Sequence, residues 1–472
     1  MIPTSRQFKE NAGRALKDTE LQKALFRVDK NFTERRARAV KNLPEFESLR
    51  DQGVAIKNHV LDHLDHYLEV FAENVERAGG QVHWCSTAED ARRMVLDLCR
   101  SVNARSVTKG KTMIGEEISL NPYLAAQGIE PVETDLGEYI IQLADEPPSH
   151  IIGPAIHKTK EQVSDLFLEH HRRYGKTKRL TEGEELVGEA REILRPRYLA
   201  ADVGITGANF LIAETGSSVI VTNEGNGDLT QTLPKMHIVL ASLEKIVPTL
   251  EDAATLIRLL ARSATGQQMS VYTTVSTGPR RPGDPDGPGQ YHVVLLDNGR
   301  SKLLGSAFRD ILRCIRCGAC FNHCPVYASV GGHAYGWVYS GPMGSVLTPA
   351  IVGIAEAHHL PNASTFCGRC QDVCPMRIPL PSMMRHWREE AFAQDACTWR
   401  ERMAIRGWAW LARRPRSYRQ VARLVASYLA WRGRPTGRIA DLAFARGWTA
   451  TRDLPAPAGR TFLDLWRERG RT

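Results

Sequence analysis

Nowhere does this 472-residue chain run 18 apolar residues together, so no segment is built to cross a bilayer as a helix. Its opening, MIPTSRQFKENAGRALKD, lacks the apolar stretch of a secretory signal, and the expectation is a cytoplasmic protein. No G-x-G-x-x-G follows a strand-like run. Gly204-Ile205-Thr206-Gly207 has the wrong spacing, which leaves hydride transfer from a conventionally bound nicotinamide unsupported. The Gly110-Lys111-Thr112 of a phosphate loop is present, but Arg105 stands where its upstream glycine is required. Lysine is missing from residues 381–472, which carry 19 Arg against 8 Asp plus Glu. The rest of the chain holds 43 basic and 45 acidic groups, so the net charge of +9 belongs to the tail alone. That tail also holds seven of the nine Trp: Trp387, Trp399, Trp408, Trp410, Trp431, Trp448 and Trp466.

What is present is concentrated in seven of the ten cysteines. Cys314, Cys317, Cys320 and Cys324, followed by Pro325, form C-x2-C-x2-C-x3-C-P, the spacing that wraps three thiolates around one iron–sulfur cube. Cys367, Cys370 and Cys374, followed by Pro375, repeat the pattern with its first member absent, because Ser364 stands where that cysteine is due. Zinc sites draw four ligands from two separated pairs, a poorer match. Disulfides are poorer still, since a chain of this length buries an ample core without them. Unpaired thiols also suit a reducing compartment.

In two-cluster ferredoxins the fourth thiolate of such a run goes to the neighbouring cube. Crossing over in this way gives Cys314, Cys317, Cys320 and Cys374 to a first 4Fe–4S cluster, and Cys324, Cys367 and Cys370 to a second. The candidates for the fourth position of the second are the Ser364 oxygen, water or substrate, a partner's side chain, or Cys397 folding back; a three-iron cluster needs none of them. Cys397 reads more simply as a small buried residue of a helical stretch.

Along the chain, residues 10–45 read as polar helix, and apolar spacing from Val54 to Arg77 predicts a second helix ended by Gly79-Gly80. Gln81–Cys85 reads as a strand, and Ser86-Thr87-Ala88-Glu89 as a capping box opening the next helix. Strand-like runs follow at Ser217–Thr222, His237–Ala241, Ser270–Ser276 and Tyr291–Leu296, with a helical insertion over 158–200. The expected organisation is a helical N-terminal extension (1–50), an α/β domain (51–304), a helical two-cluster ferredoxin-like module (305–380) and a basic, Arg/Trp-rich helical region (381–472). Within the module a helix is expected over Ser345–His359, and the tail is expected to break at Pro415, Pro435 and Pro455.

Weaker constellations remain. His59, His63 and His66 share a helix face, but interleaved Asp62 and Asp65 favour a plain polar surface over a metal site. The glycine-rich stretch Gly204–Gly227, bearing Thr206, Asn209, Glu214, Thr215, Ser217, Asn223, Glu224 and Asn226, and the carboxylates of Glu133-Thr134-Asp135-Leu136-Gly137-Glu138 suit either tight sheet turns or a ligand pocket. His323, His333, Tyr335, Trp337 and Tyr339 lie close in sequence to the cluster cysteines, as a shell or as packing. The basic tail suits an acidic partner subunit first and anionic lipid second; nucleic acid is not expected, because no recognised fold accompanies the charge.

The strings CIRCGACFNHCPVY (314–327), GGHAYGWVYSGPMGSVLTP (331–349), FCGRCQDVCPMRIPLP (366–381), ETDLGEYIIQLADEPPSHIIGPAIH (133–157) and GITGANFLIAETGSSVIVTNEGNG (204–227) resemble the lactate utilisation protein B family over nearly the whole chain. The resemblance implies an iron–sulfur electron-transfer subunit of a three-component system that oxidises L-lactate to pyruvate. It further implies a first domain similar to the NagB/RpiA/CoA-transferase type, and a pattern of four plus three cysteines that is usual rather than damaged. The implied partners are the other two lactate-utilisation subunits and an electron acceptor, with the membrane surface as one place for it. Two rival readings are an α/β pocket that binds and helps oxidise the hydroxy acid, assisted by an open iron in the second cluster, and a scaffold whose clusters are structural.

Overall fold

The computed structural model describes residues 3–449 and 452–469. The chain divides into two units, Met1–Gln394 and Asp395–Thr472.

The first unit is built on ten strands: β1 (Gln81–Cys85), β2 (Ser106–Gly110), β3 (Glu130–Glu133), β4 (Val203–Thr206), β5 (Phe210–Ile212), β6 (Ser217–Thr222), β7 (Met236–Ser242), β8 (Ile246–Val247), β9 (Tyr272–Ser276) and β10 (Gln290–Leu296). Six of them pair in parallel in the order β1-β10-β7-β4-β2-β3. A smaller mixed sheet runs β8-β5-β6-β9. The central strands β7 (MHIVLAS) and β10 (QYHVVLL) are near-continuous apolar runs, as a parallel strand covered on both faces requires. In β7 every residue is buried.

Three local details differ from the sequence reading. The helix Ala88–Ser101 is capped one residue later than expected: Thr87 Oγ1 accepts from Asp90 N–H (3.2 Å) and the Asp90 carboxylate accepts from Thr87 N–H (3.0 Å). Ser86 is held back because its carbonyl accepts from Asn298 N–H (3.1 Å) at the end of β1. The expected helix over Val54–Arg77 is two helices, Phe46–Asp62 and Leu64–Arg77, meeting at His63. There the His63 ring bonds the His59 carbonyl (2.9 Å) that the backbone N–H would have taken, a side chain inserted into the helical ladder. The helix expected over Ser345–His359 starts earlier, at Gly341, and stops at Gly353 (φ +93°), where Ile354–Ala357 begins a new turn.

The insertion over 158–200 consists of Lys160–His170 and Gly183–Ala200. The N-terminal helices Phe8–Ala15 and Thr19–Lys41, the latter capped by Asp18, pack on the cysteine module rather than standing apart. One apolar core runs without interruption from Phe46 and Leu49 through Leu256 and Leu259 to Phe321, Tyr335 and Met383.

In the second unit, helix Trp399–Ala412 begins with a Thr398/Glu401 capping box, and Pro415–Gly433 follows. Pro415 starts a helix at its first position, where its missing N–H costs nothing. Trp399, Trp408, Trp410, Trp431, Trp448 and Trp466 are all exposed.

Candidate metal centre

The two cysteine runs fold into the same loop. Arg316 and Phe366 take φ of +59° and +54°, and Gly318 and Gly368 take +72° and +82°. Short helices Ala319–Asn322 and Arg369–Asp372 follow at matching positions, each leading to Cys-Pro. In the first loop Arg316 N–H donates to Cys314 Sγ (3.4 Å); in the second Phe366 N–H donates to Ser364 Oγ (3.1 Å). Ser364 therefore places its hydroxyl where the first loop places a thiol.

The thiols are grouped by crossing between runs. Cys314, Cys317, Cys320 and Cys374 line one cavity, closed by Ile151, Met343 and Met376. Cys317 and Cys320 feel the charge of Cys314 and Cys374, and Cys324 and Cys370 that of Cys367; Cys320 also feels Cys370, so the two groups lie side by side. Among the described residues no three of these thiols lie within 4.8 Å of one another. Thiolates on a single tetrahedral zinc stand about 3.8 Å apart, so the spacing suits a multi-iron cube better. Cys317, Cys324, Cys370 and Cys374 are buried, Cys314 and Cys320 are partly so, and Cys367 is exposed. Cys397, expected as a small buried residue of a helical stretch, is instead half-buried in the bend before Trp399 of the second unit.

Burial pushes the Cys374 thiol up to about 11, that of Cys370 to about 12 and that of Cys320 well above the usual thiol range. Backbone N–H of Arg369 and the Thr365 hydroxyl hold exposed Cys367 below it. Thiolates in such an interior need compensating charge, and cations supply it from three directions. From helix Phe46–Asp62, Arg50 donates to the carbonyls of Cys374 (2.6 Å) and Asp372 (3.0 Å), and from helix Thr19–Lys41, Arg36 donates to that of Val373 (2.8 Å). Lys57, on the same helix as Arg50, donates to the carbonyls of Glu244 and Ile246, and burial lowers its pKa to about 8. Within the module Arg316 ion-pairs with Glu244 (3.1 Å) and lies over the Tyr339 ring.

A buried ion network ties the module to the sheet. Arg300 grips both Glu117 oxygens (2.6 and 3.0 Å) and reaches Glu244 (3.2 Å). Tyr339 OH donates to Glu117 (2.6 Å) and Asn298 Nδ2 does so at 2.7 Å. Burial raises the Glu244 carboxyl, but Arg300 and Arg316 more than offset this and hold it at about 2. The loop 146–157 is a further clasp. His333 Nε2 meets the Pro147 carbonyl (2.7 Å), and Tyr327 OH donates to that of Ser149 (2.8 Å). Glu146, His157 and His333 form the one three-ligand grouping of single-ion size among the described residues. Its ring nitrogens are already engaged, His157 Nε2 with Glu146 at 2.7 Å and His333 with Pro147, so it serves the clasp.

A cavity of about 180 Å³ opens at the strand ends beside the first loop, lined by residues that include Lys111, Ser242, Lys245 and Arg316. The residues singled out in the sequence that line it include Asp135, Glu138, Gly207, Asn209, Asn223 and Tyr339. Glu133 instead pairs with buried Lys109 (2.7 Å), Glu214 accepts from Leu250 N–H (2.7 Å), Ser217 bonds Thr277 (2.6 Å) and Thr206 bonds His237 (2.8 Å). His59, His63 and His66 stay exposed and form no metal grouping. Tyr335, Trp337 and Tyr339 are buried in the module, as packing requires. Arg36, Arg50 and Lys57 carried no motif, and the polar helices bearing them gave no sign that they face the cysteines.

The chain is 42% identical over 470 residues to lactate utilization protein B of Bacillus velezensis, covering 98% of this chain and 97% of that one. The chain belongs to the lactate utilisation protein B family. The member from Lysinibacillus sphaericus is 41% identical over 471 residues (99% and 98% covered), and that from Geobacillus thermodenitrificans 44% over 440 (92% and 91%). Three family descriptions match in series: a LUD domain at 68–296, a 4Fe-4S dicluster domain at 310–378 and the C-terminal region of lactate utilisation protein B at 391–471. A solved DUF162 family protein from Deinococcus radiodurans aligns at 14% identity with a TM-score of 0.28, over 49% of this chain and 98% of that one.

Proposed function

We propose that this protein is the iron–sulfur electron-transfer subunit of a system that oxidises L-lactate to pyruvate for use as a carbon source. The observation that carries the reading is the duplicated cysteine loop, with one copy packed against an α/β sheet and the other bringing Cys367 to the surface. Oxidation of lactate to pyruvate releases two electrons and two protons, and two 4Fe–4S clusters, when bound, supply carriers that take one electron each. Cys314, Cys317, Cys320 and Cys374 would hold the first, and Cys324, Cys367 and Cys370 the second, with Ser364 Oγ at the fourth corner. Arg36, Arg50, Lys57 and Arg316 balance the negative charge of the first site, and the sheet excludes water from it. The exposed second loop offers the short approach that a partner needs.

The partners in this reading are the other two lactate-utilisation subunits, met by the Arg- and Trp-rich tail, and an electron acceptor at or near the membrane surface. The protein itself is placed in the cytoplasm. The α/β region is taken as a NagB/RpiA/CoA-transferase-like fold. A second reading, in which the α/β region binds the hydroxy acid, is favoured by the cavity at the strand ends. Its lining includes Arg316 of the first loop and no residue of the second, which weighs against an open iron there as the assistant.

The test is low-temperature EPR on the anaerobically purified chain, alone and with its partner subunits, before and after L-lactate. Reduction by lactate only when the partners are present is the expected result. Full signals with dithionite and none with lactate would overturn the assigned substrate.

A further inference from the structure

The cavity beside the first cysteine loop sits at the point where the sheet reverses its winding. From β2 the chain passes outward to β3, whereas from β4 it continues the other way to β7 and β10. Lys111 and Thr112, just past β2, and Gly207–Asn209, just past β4, form two of its walls. Open parallel sheets bind their ligands in this crevice at the carboxyl ends of the strands.

The cavity's volume, about 180 Å³, lies below the roughly 300 Å³ at which drug-sized sites begin. Its occupant is therefore a small molecule. Most charges in the wall are already matched. Lys111 pairs with Asp135 and with Glu224 (3.6 Å), and Arg316 with Glu244 (3.1 Å). Burial, together with Glu133 and Asp135, pushes the Glu138 carboxyl well up. Lys245 is left over: among the described residues it has no ion-pair partner within 4.0 Å, although it lies near enough to Glu244 to feel its charge. Two hydroxyl oxygens in the wall, Ser242 Oγ and Thr222 Oγ1, are buried without a hydrogen-bond partner. Buried polar atoms without partners call for an explanation, and a ligand is one. Ile152 and Leu260 supply an apolar side.

We propose that this cavity binds a small monocarboxylate of the 2-hydroxy or 2-oxo acid class, its carboxylate on Lys245 and its neighbouring oxygen on Ser242. One unmatched cation fits a singly charged carboxylate better than a doubly charged phosphate. Ile151 lines both this cavity and the one walled by Cys314, Cys317, Cys320 and Cys374, so an occupant lies one side chain away from the first cluster site. The choice of acid rests on the lactate-oxidising reading; the existence of the site does not.

The experiment is isothermal titration of the full, cluster-loaded chain under anaerobic conditions with L-lactate, pyruvate and inorganic phosphate. EPR of the dithionite-reduced protein is recorded with and without pyruvate. Binding of an acid but not of phosphate is expected, with a changed line shape for one cluster only. Lys245→Met should weaken binding about ten- to a hundredfold, as loss of one charge-assisted hydrogen bond does, and Lys245→Arg should recover most of it. Iron content and melting temperature report whether each variant folds. Should Lys245→Met fail to fold, Asn209→Asp keeps the acceptor that Val221 N–H uses (2.9 Å) and adds a negative charge to the wall; it too should weaken binding at least tenfold. No binding of either acid, equal binding of phosphate, or indifference to these substitutions overturns the site. None of those results touches the carrier reading, which falls only if lactate fails to reduce the clusters in the presence of the partners.

Discussion

Replacing Arg300 by Met removes the one cation shared by two buried carboxylates. The side chains of Arg300, Glu117 and Glu244 are 1%, 0% and 3% exposed, so water cannot take over. Breaking such a pair by deleting one member costs about 3–5 kcal/mol, because a charge is left buried and unmatched. The Glu244 carboxyl sets an upper figure for its own share: the displacement from 4.5 to about 2, which Arg300 shares with Arg316, Lys245 and a backbone N–H, corresponds to about 3 kcal/mol of stabilisation at neutral pH. Because that pKa is depressed, the contribution is complete above about pH 4.5 and is lost as pH falls through about 2. If Met1–Gln394 unfolds as one unit, an unfolding entropy of about 2.1 cal/mol/K per residue turns 3–5 kcal/mol into a Tm lower by about 4–6 °C. Anaerobic scanning calorimetry of the cluster-loaded Arg300→Met chain measures this directly. The deficit should hold steady from pH 7 to 5 and shrink at lower pH. A Tm within about 1 °C of wild type at pH 7 would refute the reasoning. A double variant with Glu117→Gln should recover part of the loss, since one stranded charge goes with the cation.

Cys374→Ser should abolish the first cluster's EPR signal and spare the second, although Cys374 lies in the second run; iron loss confined to the second cluster would reject the crossed grouping. Ser364→Cys places a thiol where Ser364 Oγ mirrors Cys314 Sγ and should slow iron loss in air several-fold, as followed by absorbance. An unchanged rate would mean that this corner faces away from the iron. Gly332→Ala should destabilise the chain by at least ~2 kcal/mol, because its Cβ would stand 1.7 Å from the Ser149 carbonyl oxygen and force the clasp apart. Wild-type stability in urea would show that the clasp yields freely.

The cluster cysteines were legible because iron–sulfur chemistry fixes both spacing and residue type. The strands recognised in the sequence correspond to β1, β6, β7, β9 and β10; β7 and β10 stood out most because a parallel sheet covers both their faces. Strand β2 escaped notice. Its Thr108 and Lys109 look like a loop, yet Lys109 is fully buried, matched by Glu116 and Glu133 at 2.7 Å each. A polar residue paired across 24 positions leaves no periodic trace. The cavity was half legible: glycines and carboxylates marked its rim, but Lys245 and Ser242, which carry its chemistry, sit in an ordinary strand and the turn after it. Arg36 and Arg50 were hidden for a similar reason, because a charged helix face reads alike whether it meets solvent or the carbonyls of a cysteine loop.

The clasp and the arginines bear on how such a protein can be taken apart. The dicluster match at 310–378 looks in sequence like a portable cassette. In space, part of its lining is supplied from elsewhere: Ile151 from the 146–157 loop, Arg36 and Arg50 from helices Thr19–Lys41 and Phe46–Asp62, and Glu244 from the turn after β7. A graft of those residues onto another scaffold would carry the thiols away and leave that lining behind. Any lineage that exchanged this cassette for another would have to exchange its surroundings with it.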